Sequence, residues 1–233
     1  MMQFREQRAL ITGGSEGIGK ALAAALIEHG ARVAIMARRK EPLEQTAKAL
    51  GALSIPGDVS VEADCTKAVE TTVRVLGGLD ILINNAAIGY FAPVSEIDRA
   101  RFDQLIAVNV TGPMLMARAA APHFMRQKSG TLINISSTAG LKGFAKGTPY
   151  VASKFALKGM TECWRDELRR YNVRVLLVNP SEVQTGFGGR GEPSDPDPKK
   201  LVARDVAEAV IGALLLDPRG FIPELSVWAT NPF

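Results

Sequence analysis

The chain has 233 residues, of which 46% are hydrophobic and 22% charged, and carries a net charge of +4. That balance fits one soluble globular domain with a sizeable core. No apolar run approaches the roughly 18 residues that span a bilayer, and no basic block with interleaved aromatics favours nucleic acid.

Strand-like and helix-like segments alternate along the whole chain. R-A-L-I-T (8–12) reads as a strand, and Gly17 to His29 as a helix with Ile18, Leu22, Leu26 and Ile27 on one stripe. A second strand (31–37), a helix (41–50), a short third strand (53–55) and a helix (61–76) follow. L-D-I-L-I-N-N (79–85) is the fourth strand, and 97–126 a long helical stretch. T-L-I-N-I-S-S (131–137) is the fifth strand, 148–171 a second long helix, and V-R-V-L-L-V-N (173–179) the sixth strand. A helix (205–216) and a final strand (225–229) close the pattern. Continuous apolar strands imply burial on both faces, as in a parallel sheet covered by helices. The expected fold is α/β: a single doubly wound Rossmann domain over 1–233, with a parallel seven-stranded sheet and helices on both faces. The Gly-, Pro- and charge-rich stretch 186–200 cannot pack a core. It reads as a mobile substrate flap beyond the strand carboxyl ends.

The start, Met1-Met2-Gln3-Phe4-Arg5-Glu6, lacks the apolar centre of a signal peptide, so the expected location is cytoplasmic. Cys65 and Cys163 have no metal-ligand spacing and read as buried thiols, while His29 and His123 read as structural. No metal is expected.

The turn after the first strand, T-G-G-S-E-G-I-G (12–19), lies between a strand and an amphipathic helix, the context a dinucleotide cradle requires. Glycine lets the backbone approach a pyrophosphate, and the helix N-terminus supplies N–H donors and partial positive charge. The second strand ends in Ala37-Arg38-Arg39, where an NAD site usually offers an acid to the ribose hydroxyls. A guanidinium suits the 2′-phosphate instead, so Arg38 and Arg39 favour NADP over NAD. Glu16 in the turn opposes that preference if it points inward.

Tyr150 and Lys154 stand four apart in Y-V-A-S-K, which brings them to one face of a helix. A tyrosine can donate a proton to a carbonyl oxygen, but its free pKa is about 10. A neighbouring cation is expected to lower that value toward the operating pH. Ser137, thirteen positions before Tyr150, can donate a hydrogen bond to the same oxygen as charge develops there. Pro113 has no amide to offer the carbonyl four residues back, that of Asn109, which is thereby free for a water.

These pieces resemble the short-chain dehydrogenase/reductase family over nearly the whole chain. The matching residues are the glycine turn, D-V-S (58–60), N-N-A-A (84–87), Asn109 in V-N-V-T-G, Ser137 in I-S-S-T-A-G, Y-V-A-S-K and N-P-S-E-V-Q-T (179–185). Two positions depart from the usual pattern, with Ala87 and Ser181 where glycines are common. The resemblance implies that Asn109, Ser137, Tyr150 and Lys154 form a catalytic tetrad. It also implies cofactor contacts from Gly13, Ser15, Gly17, Ile18 and Gly19, from Arg38, Arg39, Asp58, Val59, Asn85 and Ala86, and from Tyr150, Lys154, Pro180, Val183 and Thr185. The expected activity is NADP-dependent hydride transfer to and from a ketone, aldehyde or alcohol, in a homodimer or homotetramer. The alternatives are a β-ketoacyl carrier-protein reductase, with Lys142, Lys146 and Arg190 meeting an acidic carrier, and a non-catalytic NADP-sensing protein. Phe91, Leu141, Phe144 and Phe187 fall in segments expected to edge the pocket and hint at an apolar substrate.

Overall fold

In the sequence the apolar strands are flanked by helices whose apolar stripes recur every three or four residues, and the three-dimensional arrangement follows from burying both. The structure is a computed structural model that describes residues 3–189 and 195–231. Seven strands form one parallel sheet: β1 (Arg8–Thr12), β2 (Arg32–Ala37), β3 (Leu53–Pro56), β4 (Ile81–Asn84), β5 (Gly130–Ile135), β6 (Val173–Pro180) and, at the edge, a last strand Glu224–Val227. The order is β3-β2-β1-β4-β5-β6 followed by that edge strand, all neighbours parallel. The order reverses beside β1, between β1 and β4, so the strand carboxyl ends open a crevice there.

Helices cover both faces. On one face α1 (Gly17–Glu28) and α2 (Lys40–Leu50) pack with the helix Ala203–Leu214, burying Leu22, Leu26, Leu43, Val206 and Val210 against Ile11, Ile35 and Ile83. On the other, α3 (Glu62–Leu76) and α5 (Gly112–Gln127) bury Cys65, Val69, Met116 and Phe124 against Leu10, Leu82, Leu132 and Val175. Alternate residues of one strand thus feed opposite cores, which explains why each strand is apolar throughout.

The stretch expected as one long helix from 97 to 126 is interrupted. It begins as α4 (Arg99–Ile106), widens into a π turn over Ala107–Thr111, and continues as α5. Gly112 N–H bonds the carbonyl of Ala107, five residues back. In that register the amide missing at Pro113 faces Val108, so the expected gap at Asn109 does not follow from proline alone. Two more strands, β7 (Val183–Gln184) and β8 (Leu201–Val202), pair with each other and close the base of the 186–200 loop. They make Glu224–Val227 β9 and Ala203–Leu214 α7. The centre of that loop, 190–194, and Arg190 with it, lies outside the described residues. Cys65 is buried as expected, but Cys163 is exposed on α6 (Thr148–Leu168), on a helix face turned from the core.

The helix that carries Tyr150 and Lys154, α6, is tied to the sheet by a buried polar chain. Asn84 Nδ2 donates to Asn134 Oδ1 (2.9 Å), Asn134 Nδ2 to Thr161 Oγ1 (2.8 Å), and Thr161 Oγ1 to the carbonyl of Leu157 (2.6 Å). Asn134 and Thr161 are fully enclosed. Removing the central amide strands a donor and an acceptor without solvent. Asn134→Ala is therefore expected to lower unfolding stability by about 3 kcal/mol in urea titration. A midpoint equal to that of the native protein would show that the chain does not anchor α6.

Candidate active site

The crevice at the carboxyl ends of the strands is a cavity of about 1020 Å³. At one end lies the turn between β1 and α1. Gly13 adopts φ +66° and Gly17 φ +54°, a region that side-chain-bearing residues rarely occupy. A Cβ at Gly19 would come within 2.3 Å of the Gly13 carbonyl oxygen and 2.5 Å of Asn85 Nδ2, so the turn packs on itself only without a side chain there. Asn85 Nδ2 in turn donates to the carbonyls of Thr12 and Gly13, at 3.0 and 3.2 Å. No side chain caps the N-terminus of α1. Its free first-turn N–H groups beside a glycine floor fit a pyrophosphate.

Gly13, Ser15, Gly17, Ile18, Arg38, Arg39, Val59, Asn85, Ala86, Pro180, Val183 and Thr185 all line the cavity, as do Ser137, Tyr150 and Lys154. Gly19, Asp58 and Asn109 do not. Gly19 lies beneath the turn it permits. Asp58 accepts from the amide and hydroxyl of Ser60 at 2.8 and 2.7 Å and stands 3.6 Å from Arg38. Burial alone would raise its carboxyl, but the Ser60 bonds and Arg38 outweigh it and hold it low. Glu16 does not stand free against an incoming phosphate, since its carboxylate meets Arg39 Nη2 at 2.5 Å. Ser181 lies outside the positive-φ residues, so its replacement of a glycine leaves the backbone in an ordinary conformation.

Asn109 acts on the site through its neighbours. Its side chain accepts from Ile88 N–H (2.8 Å) and donates to Ile88 C=O (2.9 Å) and to Ser153 Oγ (3.1 Å). Ser153 Oγ donates to the carbonyl of Tyr150 at 2.7 Å. The loop after β4 and the first turn of α6 are thereby held in one register.

Tyr150 and Lys154 project side by side under the other end of the cavity. Lys154 Nζ lies 5.5 Å from the centroid of the Tyr150 ring and donates to the carbonyl of Ile135 at 3.0 Å. Ser137 lies just past the end of β5, where its Oγ accepts from Ala139 N–H at 3.1 Å. The expected lowering of the phenol is not what this protein shows. Burial pushes Tyr150 up to about 12, with Ser137 pulling more weakly the other way, and burial pushes Lys154 down to about 8. Sequence spacing gave the proximity, but burial rather than a neighbouring charge sets the direction for both groups.

Three phenylalanines box the phenol. Phe91 and Phe187 have ring centroids 5.3 and 5.7 Å from that of Tyr150, and Phe144 lies 6.2 Å from Phe91. Leu141, grouped with them on sequence, does not line the cavity. The polar anchor Asn84–Asn134–Thr161 and the guanidinium of Arg101 on the cavity wall escaped sequence reasoning. The asparagines inside two apolar strands were the available signal for the first, while an exposed helical arginine gives none for the second.

With no helix among the described residues long and apolar enough to cross a membrane, and this cleft at the sheet's switch point, comparison with known proteins is informative. Residues 7–194 match the family described as short chain dehydrogenase. An uncharacterized oxidoreductase of Staphylococcus aureus (strain USA300) is 34% identical, covering 97% of this chain and 99% of its own. An alcohol dehydrogenase from the archaeon Thermococcus sibiricus, solved with 5-hydroxy-NADP, superposes with a TM-score of 0.89 at 29% identity, covering 96% and 97%. A 3-ketoacyl-(acyl-carrier-protein) reductase from Brucella melitensis, solved with NADH, gives 0.87 at 30% identity, covering 97% and 98%.

The buried amine makes stability depend on pH. Lys154 binds its proton less tightly folded (about 8) than at its ordinary 10.5, so between those values the unfolded chain holds more protons. Stability then rises with pH across that window. Relative to Lys154→Met, the cofactor-free native protein is expected to gain up to about 3 kcal/mol between those two pH values. Parallel stability profiles for the two proteins would contradict an amine held in a desolvated site.

Proposed function

We infer, for a chain that belongs to the short-chain dehydrogenase/reductase family, that it transfers hydride between NADP and a carbonyl or secondary alcohol, with Tyr150 as general acid and base. The observation that carries this reading is the buried pair of Tyr150 and Lys154 beneath a cleft that also holds Ser137 and the glycine turn. The cofactor, when bound, supplies or receives the hydride. Gly13, Gly17 and the first turn of α1 would hold its pyrophosphate, while Pro180, Val183 and Thr185 would lie against its reactive ring and Lys154 would hold its ribose.

The phenol, pushed up to about 12, keeps its proton at neutral pH. Tyr150 therefore enters carbonyl reduction as the acid, and its proton goes to the substrate oxygen. Ser137 donates a second hydrogen bond to that oxygen and stabilises its developing charge. Lys154, cationic below about 8, opposes the loss of charge balance when the phenol gives up its proton. Asn109 holds the Ile88 loop and, through Ser153, the helix start that carries Tyr150. The phenylalanine box excludes water from the phenol and favours an apolar substrate.

The preference for NADP rests on Arg38 and Arg39 at the end of β2. Arg39 is held by Glu16 and Arg38 stands near Asp58, so an incoming 2′-phosphate competes with an exposed and a half-buried carboxylate for the two guanidiniums. The Thermococcus alcohol dehydrogenase carries an NADP derivative and the Brucella reductase carries NADH, so support for this preference comes from the arginines rather than from the relatives. The reading extends to a small ketone, aldehyde or alcohol as substrate and to a cytoplasmic homodimer or homotetramer.

Tyr150→Phe is expected to lower kcat for ketone reduction by at least about a hundredfold while NADPH still binds by fluorescence titration. Turnover near the native level would refute the acid–base assignment, and a protein that binds NADPH yet reduces no carbonyl compound would favour a sensing role. Arg38→Asp should shift the ratio of kcat/KM for NADPH over NADH downward by roughly tenfold or more. A native protein that uses both cofactors equally would remove the argument for NADP.

A further inference from the structure

The cavity carries cations at both ends, and only one set lies beside the cofactor cradle. Arg38 and Arg39 stand by the glycine turn. Arg101, Lys142 and Lys146 line the same cavity on the side of the phenylalanine box. The loop that carries Lys142 and Lys146 is stitched to the loop that carries Phe91 and Ala92. Ala92 N–H donates to the carbonyl of Lys146 at 2.9 Å, and Phe91 packs on Phe144. Lys146 adopts φ +65°, a conformation uncommon for a residue with a Cβ, and the bond from Ala92 holds its carbonyl. Arg101, from α4, lays its guanidinium 4.2 Å from the ring centroid of Tyr90, the residue before Phe91. Stacking fixes the plane and leaves the N–H edge open to an anion.

Among the described residues no carboxylate forms an ion pair with Arg101, Lys142 or Lys146. Asp103 pairs with Arg99 at 2.7 Å, and the Asp98 carboxylate caps α4 by accepting from Arg101 N–H at 2.8 Å. The two acids that line the cavity, Glu16 and Glu182, pair with Arg39 and Lys200. The substrate end is therefore an apolar, aromatic wall around a proton donor, rimmed by positive charge that no described carboxylate pairs.

We propose that this rim binds an anionic group of the substrate. The preferred substrate is then a carbonyl compound with an apolar or aromatic body and a carboxylate or phosphate remote from the reacting carbon. The proposal rests on the reductase reading above for the reaction and on the rim alone for the preference. A small anion is favoured over the surface of an acidic carrier protein because the cations line the cavity that holds Tyr150.

The test compares para-acetylbenzoate, para-acetylphenylacetate and para-acetylphenyl phosphate with the neutral para-acetylbenzamide. It measures kcat/KM with NADPH, and calorimetric binding to the full chain loaded with NADP. An anion should be favoured over the amide by about tenfold at low salt, since exposed charge contacts are each worth a few-fold, and the preference should shrink as ionic strength rises. The ratio between the carboxylates and the phosphate identifies which anion the rim prefers. R101Q/K142Q/K146Q should bring the ratio of anion to amide close to one, and K142R/K146R should retain it. A merely structural role would lower acid and amide together and would not follow salt. Turnover of the amide with no preference for any anion would overturn the rim and leave the reductase reading standing. Preferential binding of an anion without turnover would support the rim and contradict the reductase reading. A preference that survives R101Q/K142Q/K146Q, or reduction of a 3-ketoacyl group only when an acidic carrier protein presents it, would overturn the proposal.

Discussion

An amine and a phenol buried side by side at the foot of a cleft form the constraint around which this molecule is organised. Neither group gains from burial on its own, since each loses water that favours its charged form. The protein holds them there with bonds that reach well beyond the site. Ile135, at the end of β5, accepts from Lys154, and the Asn84–Asn134–Thr161 chain fixes the helix that carries both side chains. The result is a phenol that keeps its proton at neutral pH and an amine whose charge sits close to its threshold. A phenol raised in this way holds its proton more tightly than a free tyrosine, and the amine stands 5.5 Å from its ring.

The fold supplies the two things this pair lacks. A parallel sheet with its order reversed beside β1 leaves a crevice at the carboxyl ends of the strands, and the glycine turn gives that crevice a floor of backbone donors. Loops after β4 and β6 bring Phe91 and Phe187 against the Tyr150 ring, and Phe144, from the loop after β5, packs on Phe91. The apolar box and the polar floor divide one cavity into two ends, and the charges follow that division. Arg38 and Arg39 each face an acid, whereas Arg101, Lys142 and Lys146 face none among the described residues.

Much of this was legible in the sequence because it depends on local spacing. Apolar strands alternating with amphipathic helices identified the sheet and its parallel sense, and four residues on a helix fixed the proximity of Tyr150 and Lys154. The glycine turn was readable because only a residue without a Cβ fits at Gly13 and Gly19. What escaped depends on distance in sequence or on solvent. The π turn at Ala107–Thr111 changes a hydrogen-bond register that the periodicity of one helix does not reveal. The direction of the Tyr150 shift required knowing how thoroughly neighbours remote in sequence enclose the ring. The resemblance singled out Asn109, yet its contacts with Ile88 and Ser153, rather than with the cavity, emerge only from packing. Glu16 was a candidate to repel a phosphate until its pairing with Arg39 became visible.

The account stands or falls on the protonation of one side chain. NMR titration of protein carrying ζ-carbon-labelled tyrosine, with Tyr150→Phe to assign the signal among the three tyrosines, reads it directly. In the cofactor-free protein the Tyr150 resonance should remain that of the neutral phenol past the ordinary tyrosine range, and begin to change only as pH approaches about 12. A phenolate forming below the ordinary tyrosine value of about 10 in that state would mean that the neighbouring cation, not desolvation, governs the site.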